Sequence, residues 1–225
     1  MVTAEVLYMR EQIIKKIEEN KIIAIIRGLD TDAAVKTAKA LAAGGITLIE
    51  VTFDQKHPDK FNMTAESIKS IKAALPEVSA GAGTVLTAEQ ADIAAAAGAE
   101  FIISPDADEA VIRHTVEIGL VSIPGAYTAT EIKKAHTAGA DFVKVFPCLA
   151  GAAEYIKAIK APLSHIKLLA VGGVNAENCA GFLKAGAAGV GVGGSLIKRD
   201  LIENGEFDKI TALAKIFVKN LKAQG

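Results

Sequence analysis

Tryptophan is absent from this 225-residue chain, cysteine occurs twice and aromatic residues make up 5% of it. Cys148 and Cys179 share no motif spacing, which argues against a disulfide framework or a thiolate zinc site and points to a reducing cytoplasm. No apolar run approaches the roughly 18 residues needed to span a bilayer, so no membrane association is expected. The opening MVTAEVLYMREQIIKKIEEN is charged and has no apolar core with a small-residue cleavage site, so it does not read as a leader. The net charge is −1, with Lys and Arg spread evenly, and there is no electrostatic footprint for nucleic acid. Of the four histidines, His114 and His136 fall in helical segments, His165 precedes an apolar run, and only His57 follows one. No two-histidine-and-carboxylate grouping is visible, so no metal is expected.

What the chain has is alternation. Apolar runs read as strands at 22–28, 46–53, 78–85, 99–105, 121–127, 141–147, 166–173 and 188–194. They are continuous rather than alternating in polarity, as expected of parallel strands covered on both faces. Alanine-rich segments of helical period lie between them. Glycines 44, 98, 119, 139 and 186 are placed to close helices in the left-handed conformation. Asp30, Thr87, Asp106, Thr128 and Asn175 are placed to cap their starts, Asp106 with Glu109 and Thr128 with Glu131 resembling capping boxes. Eight strand–helix units predict a single-domain α/β chain, a (β/α)8 TIM barrel over 22–197. An extra N-terminal helix within 1–20 would cross its bottom, and a C-terminal helix would occupy 198–225.

The active site of such a barrel lies at the C-terminal ends of its strands. Lys144 there is anomalous. In DFVKVFP it shares one face with Phe142 and Phe146, and an ammonium held against two rings loses hydration. A lowered pKa would leave a nucleophilic amine suited to Schiff-base chemistry, although a lysine whose tip reaches solvent is the plainer alternative. Glu50 is a second polar residue inside an apolar strand, LIEVTF. The two would supply a nucleophile and a proton shuttle, or else a structural ion pair. Gly172-Gly173 and Gly193-Gly194-Ser195 end the last two strands, the common phosphate position of this fold, and Leu196-Ile197 reads as the start of a short helix. Gly81 and Gly83 lie within a strand, where close packing explains them equally well.

The motifs IEVTF around Glu50, GAGTV at 81–85, ISP at 103–105, PG at 124–125, KVFP at 144–147, VGGV at 171–174 and GVGGS at 191–195 occur in that order. Together they resemble the 2-keto-3-deoxy-6-phosphogluconate aldolases, which include the bifunctional 4-hydroxy-2-oxoglutarate aldolases. The resemblance implies a metal-free class I aldolase with no cofactor. Lys144 would form the Schiff base and Glu50 would be the general acid/base. Thr84, with backbone near Pro105, would hold the pyruvate carboxylate, and Phe146 would pack beside the iminium. Gly172, Gly173, Gly193, Gly194 and Ser195 would bind the phosphate of a phosphorylated keto acid. It also implies a homotrimer. Two positions depart from the family pattern. An arginine often found four residues after the glutamate is Asp54 here, and Arg27 is the candidate to replace its charge. The threonine common before Gly-Gly is Val171, as in the 6-phosphogalactonate branch, so relaxed or shifted preference at C4 is expected. An epimerase or a thiamine-phosphate-type synthase would want paired acids or an acidic magnesium cluster at strand ends, and neither is apparent. A silent scaffold barrel would tolerate loss of Lys144 or Glu50, and both are present.

Overall fold

The apolar segments form one parallel sheet in the computed structural model, which describes residues 3–223. Its strands are β1 (Ile22–Ile26), β2 (Leu48–Thr52), β3 (Ser79–Gly83), β4 (Phe101–Ile103), β5 (Val121–Ile123), β6 (Gly125–Ala126), β7 (Val143–Val145), β8 (Leu168–Val171) and β9 (Gly189–Val192). Their order is β5-β4-β3-β2-β1-β9-β8-β7-β6, every pairing parallel. The expected fifth strand is thus two pieces. β5 pairs with β4 and β6 with β7, so the two sheet edges meet in one stretch of chain around Pro124. Proline has no N–H to donate to a ladder, and the break falls there. Its carbonyl still accepts from the Lys144 amide at 2.9 Å.

The helices are α1 (Ala4–Asn20), α2 (Thr31–Ala43), α3 (Phe61–Ala74), α4 (Ala88–Ala96), α5 (Glu109–Glu117), α6 (Ala129–Thr137), α7 (Ala152–Lys160), α8 (Cys179–Lys184), α9 (Arg199–Glu203) and α10 (Phe207–Lys222). With β5 and β6 counted as one divided strand, a helix or helical pair follows each of the eight strands, and the fold is a (β/α)8 barrel. The expected C-terminal helix is two, α9 and α10, parted by Gly205 at φ 70°. Residues 1, 2, 224 and 225, which the sequence assigns to the terminal helices, lie outside the described residues.

Side-chain parity divides the core. Ile23, Leu48, Phe101, Ile103, Val121, Ile123, Phe142 and Leu169 fill the barrel, while a larger cluster lies between strands and helices. Phe101 and Phe142 are fully buried, each contributing about 1.5–3 kcal/mol by burial. Helix α1 closes the bottom, as expected: its Ile13 and Ile17 join the inner cluster. Its polar contacts reach the strands' N-terminal ends, Arg10 to Asp141 at 2.8 Å and Lys16 to Ser79 at 2.9 Å.

Most punctuation falls as the sequence places it. Asp30, Thr87 and Thr128 cap α2, α4 and α6, the last with a full capping box. Three positions differ. The cap of α5 is Asp108, which accepts from the Ala110 and Val111 amides, while Asp106 sits in the preceding loop with its carbonyl taken by Gly125. Asn175 caps a turn ahead of α8, accepting from the Glu177 and Asn178 amides, and the regular helix begins only at Cys179. After α2 the left-handed residue is Gly45 (φ 92°), not Gly44. Gly44 is small for packing instead, since a Cβ there would lie 2.3 Å from the Ala214 Cβ on α10.

Candidate active site

The mouth at the strands' C-terminal ends holds a cavity of about 670 Å³. Parity brings Lys144 and Glu50 into it from opposite sides of the barrel. Glu50 continues the inward face of Leu48, and Lys144 that of Phe142. Both are buried, Lys144 at 5% and Glu50 at 1% exposure. Among the described residues they make no ion pair within 4.0 Å, which removes the direct structural salt bridge as their explanation. Among the described residues the buried Glu50 Oε2 atom finds no hydrogen-bond partner, a state that costs about 1–3 kcal/mol. The Lys144 amine stands 4.7 Å over the centre of the Phe146 ring.

Burial dominates the titration of both groups. It pushes the Lys144 pKa below 10.5, against the pull of Glu50 and with a further push from Arg27. It raises the Glu50 pKa above 4.5, against Lys144 and Arg27. Each group is therefore driven toward its neutral form, an amine and a carboxylic acid, although each charge favours its partner's ionisation.

Two glycine strands make room for these side chains. On the inward face of β3, a Cβ on Gly81 would fall 2.2 Å from the Phe101 ring, and one on Gly83 would fall 1.7 Å from Glu50 Oε1. Close packing accounts for both, and at Gly83 what packs is the carboxylate. Opposite, a Cβ on Gly191 would lie 2.9 Å from a methyl of Val171, which is how that valine reaches the cavity wall.

The remaining sequence candidates all line this cavity: Arg27, Thr84, Pro105, Phe146, Val171, and the glycine turns with Ser195. The Arg27 guanidinium donates to Thr84 Oγ1 at 3.3 Å and forms no ion pair among the described residues, so it is not a rim salt bridge. Asp54 does not line the cavity; its carboxylate accepts from the Lys56 amide, in a hollow beside the mouth. Gly172 and Gly173 take φ 90° and 67°, and a Cβ on Gly173 would strike the Cys148 carbonyl at 2.4 Å. The Gly173 carbonyl accepts from Asn178 Nδ2 and the Val174 carbonyl from Ser195 Oγ. Among the described residues the amides of Gly173, Gly194 and Ser195 donate to no backbone carbonyl. With carbonyls tied back and amides free, the two turns present donors to an anion. No helix starts at Leu196: the Leu196 and Ile197 amides both bond the Gly193 carbonyl in a single turn, and α9 begins at Arg199. Ile25, Val174, Asn175 and Gly191 also line the cavity without having been singled out for it. Strand parity from Arg27 pointed to Ile25; nothing in the sequence marked the others as lining. Among the described residues no three His, Cys, Asp or Glu side chains cluster as metal ligands would.

Fold and mouth together define a barrel of the enzyme kind, with a buried amine and carboxyl facing one polar cavity at the catalytic end. The family model for KDPG and KHG aldolase matches residues 13–213, and the chain belongs to that aldolase family. It is 35% identical over 205 residues to a 2-dehydro-3-deoxy-phosphogluconate aldolase of Treponema pallidum, covering 90% of this chain and 94% of that one. It is 39% identical over 179 residues to a 2-dehydro-3-deoxy-6-phosphogalactonate aldolase of Escherichia coli, covering 79% and 84%. Among solved structures, KDPG aldolase from Legionella pneumophila, with pyruvate captured as a covalent carbinolamine, aligns with TM-score 0.76 and 28% identity over 87% of this chain and 93% of that one. No helix is long and apolar enough to cross a membrane, among the described residues.

Proposed function

We propose that this chain is a class I aldolase cleaving a 2-keto-3-deoxy-6-phospho sugar acid to pyruvate and glyceraldehyde 3-phosphate. The observation that carries the reading is the buried, unpaired Lys144–Glu50 couple facing one cavity. The Lys144 amine, unprotonated, attacks C2 of the keto acid and gives a carbinolamine. Glu50, as the acid, protonates the departing hydroxyl, and water leaves an iminium ion. Glu50, now a carboxylate, accepts the C4 hydroxyl proton as the C3–C4 bond breaks. The electron pair flows into the iminium, giving an enamine and the free aldehyde phosphate. Protonation of the enamine at C3 and hydrolysis then release pyruvate and restore Lys144. Capture of pyruvate as a carbinolamine in the Legionella relative supports the first step.

Around this chemistry, Thr84 and the backbone at Pro105 hold the substrate carboxylate, with Arg27 supplying charge beside them. Phe146 keeps the iminium dry. The free amides of Gly173, Gly194 and Ser195, with Gly172 and Gly193 shaping the turns, receive the phosphate. Cleavage of 4-hydroxy-2-oxoglutarate to pyruvate and glyoxylate needs only the pyruvate half of this site and is a further activity of the same centre. Neither reaction calls on a cofactor. Assembly as a homotrimer and residence in the cytoplasm belong to the same reading.

Val171 supports a second substrate, the C4 epimer 2-keto-3-deoxy-6-phosphogalactonate. It places methyl groups where a threonine hydroxyl would sense the C4 configuration, and the E. coli galactonate-series relative is 39% identical. Borohydride reduction with pyruvate, followed by peptide mass analysis, tests the whole reading. A reduced pyruvyl adduct is expected on Lys144. A protein that takes up no adduct there is a phosphate-binding scaffold instead.

A further inference from the structure

Thr84 adopts φ 56°, the left-handed region, which a β-branched residue rarely enters without being forced. Arg27 accounts for its hydroxyl but not for its backbone. The Thr84 carbonyl accepts from Gln55 Nε2 at 2.6 Å. Gln55 Oε1 in turn accepts from Gln90 Nε2 at 3.0 Å, and Gln90 Oε1 accepts from the Leu86 amide at 2.7 Å. The two glutamines thus join Thr84 to Leu86, one residue removed from each other in sequence, by a bridge outside the strand. Next to it, the Val85 amide is held by the Ile103 carbonyl at 3.3 Å. The peptide between Thr84 and Val85 is therefore pinned from both sides.

The polarity of this bridge has one solution. A backbone carbonyl at one end demands a donor, a backbone N–H at the other demands an acceptor, and each amide must then turn the opposite way at its far end. Glutamine at both positions satisfies all three bonds without burying a charge. Gln90 is also the third residue after the cap Thr87, where Glu or Gln ordinarily reaches back to satisfy an orphan amide. A glutamate would serve that purpose equally well, but it could not donate to Gln55. Gln90 is 3% exposed, and Gln55 does not line the main cavity.

We infer that Gln55 and Gln90 are positioning residues that hold Thr84 in its left-handed conformation, its carbonyl bound outside the cavity and its hydroxyl toward the substrate carboxylate. This rests on the aldolase reading above. Because Arg27 donates to Thr84 Oγ1, the hydroxyl proton is left for an incoming anion. Loss of the bridge frees the peptide to turn and bring an acceptor toward that anion, so it weakens capture of the carboxylate without touching the amine.

The test is the rate of borohydride trapping as a function of pyruvate concentration in wild type, Q55A, Q90E and Q55A/Q90E. Q90E keeps side-chain volume and the bond to Leu86 while removing the donor. The half-saturating pyruvate concentration is expected to rise roughly fivefold to tenfold in each single variant, with the limiting rate within about twofold of wild type. The double variant should be no worse than the worse single, because both cut one bridge. Q55A, at a half-buried position, keeps the test sound if Q90E lowers thermal stability. Wild-type half-saturation in folded Q90E and Q55A, a fall confined to the limiting rate, or multiplying effects in the double variant would overturn the inference. Wild type that traps no pyruvate at all would instead overturn the aldolase reading.

Discussion

Gly83 on β3 and Glu50 on β2 share one volume: the carboxylate lies where a Gly83 Cβ would be, with Oε1 1.7 Å, Cδ 2.4 Å and Cγ 2.5 Å from that point. What must yield is the end of the Glu50 side chain, so the clash is relieved by moving the carboxyl rather than the backbone. Gly83→Ala is expected to keep the barrel and to cut turnover about a hundredfold, the scale of a 1 Å misplacement of a reacting group. Glu50→Asp in the same chain withdraws the carboxyl by one methylene. The double variant should recover thermal stability relative to Gly83→Ala while turnover stays low. Turnover near wild type in Gly83→Ala would mean that the carboxylate position does not matter.

Some of this was legible in the sequence and some was not. Lys144 and Glu50 stood out because each is a charge in a run of residues that strands bury, and their place at strand C-terminal ends put both at the barrel mouth. The glycine turns at 172–173 and 193–194 followed from the same strand ends. The fifth strand was read as one run at 121–127, although Pro124 in VSIPGAY forbids a continuous ladder and the structure divides it there. Gly83 stayed ambiguous because what it accommodates comes from the neighbouring strand, and that contact is tertiary. Gln55 and Gln90 were invisible for a different reason: each is an ordinary polar residue near a strand or helix end, and only their meeting gives them meaning.

The raised Glu50 pKa predicts how stability varies with pH. Above 4.5 the unfolded carboxyl ionises while the buried one keeps its proton, so the folded state binds more protons. The stabilisation from Glu50 is present at low pH and is lost as pH climbs through the folded pKa. Each tenfold change in proton affinity between the two states is about 1.4 kcal/mol. Glu50→Gln removes the titration, so its stability relative to wild type should increase from about pH 4 to about pH 7. Urea midpoints of the two proteins across that range check this. A constant difference would place Glu50 in an environment as polar as water.

Lys144 is expected to show its lowered pKa as a rise of pyruvate trapping with pH whose midpoint lies below 10.5, since only the free amine attacks. Burial is the main cause, and Arg27 adds to it as a like charge. Arg27→Gln should therefore move the rising limb to higher pH, by roughly a few tenths of a unit because the exposed guanidinium is screened. Added salt should move the wild-type limb the same way and leave the Arg27→Gln limb where it is. A limb that shifts down on losing Arg27 would show that the guanidinium acts on Lys144 by something other than charge repulsion.

Val171 is 6% exposed on the cavity wall, packed against Gly191, with the Gly172–Gly173 turn following it. Threonine has nearly the same shape, so Val171→Thr exchanges one methyl for a hydroxyl without opening a void. Such an exchange is not neutral, because a buried hydroxyl without a partner is costly. A substrate whose C4 hydroxyl reaches that position supplies the partner, and its epimer does not. Val171→Thr is expected to raise the ratio of kcat/KM for the gluconate epimer over the galactonate epimer by about tenfold, the worth of one hydrogen bond gained by one substrate only. Assays of both epimers with wild type and variant give the ratio directly. Strict preference of the wild type for the gluconate epimer, unchanged in Val171→Thr, would move the control of C4 away from this residue.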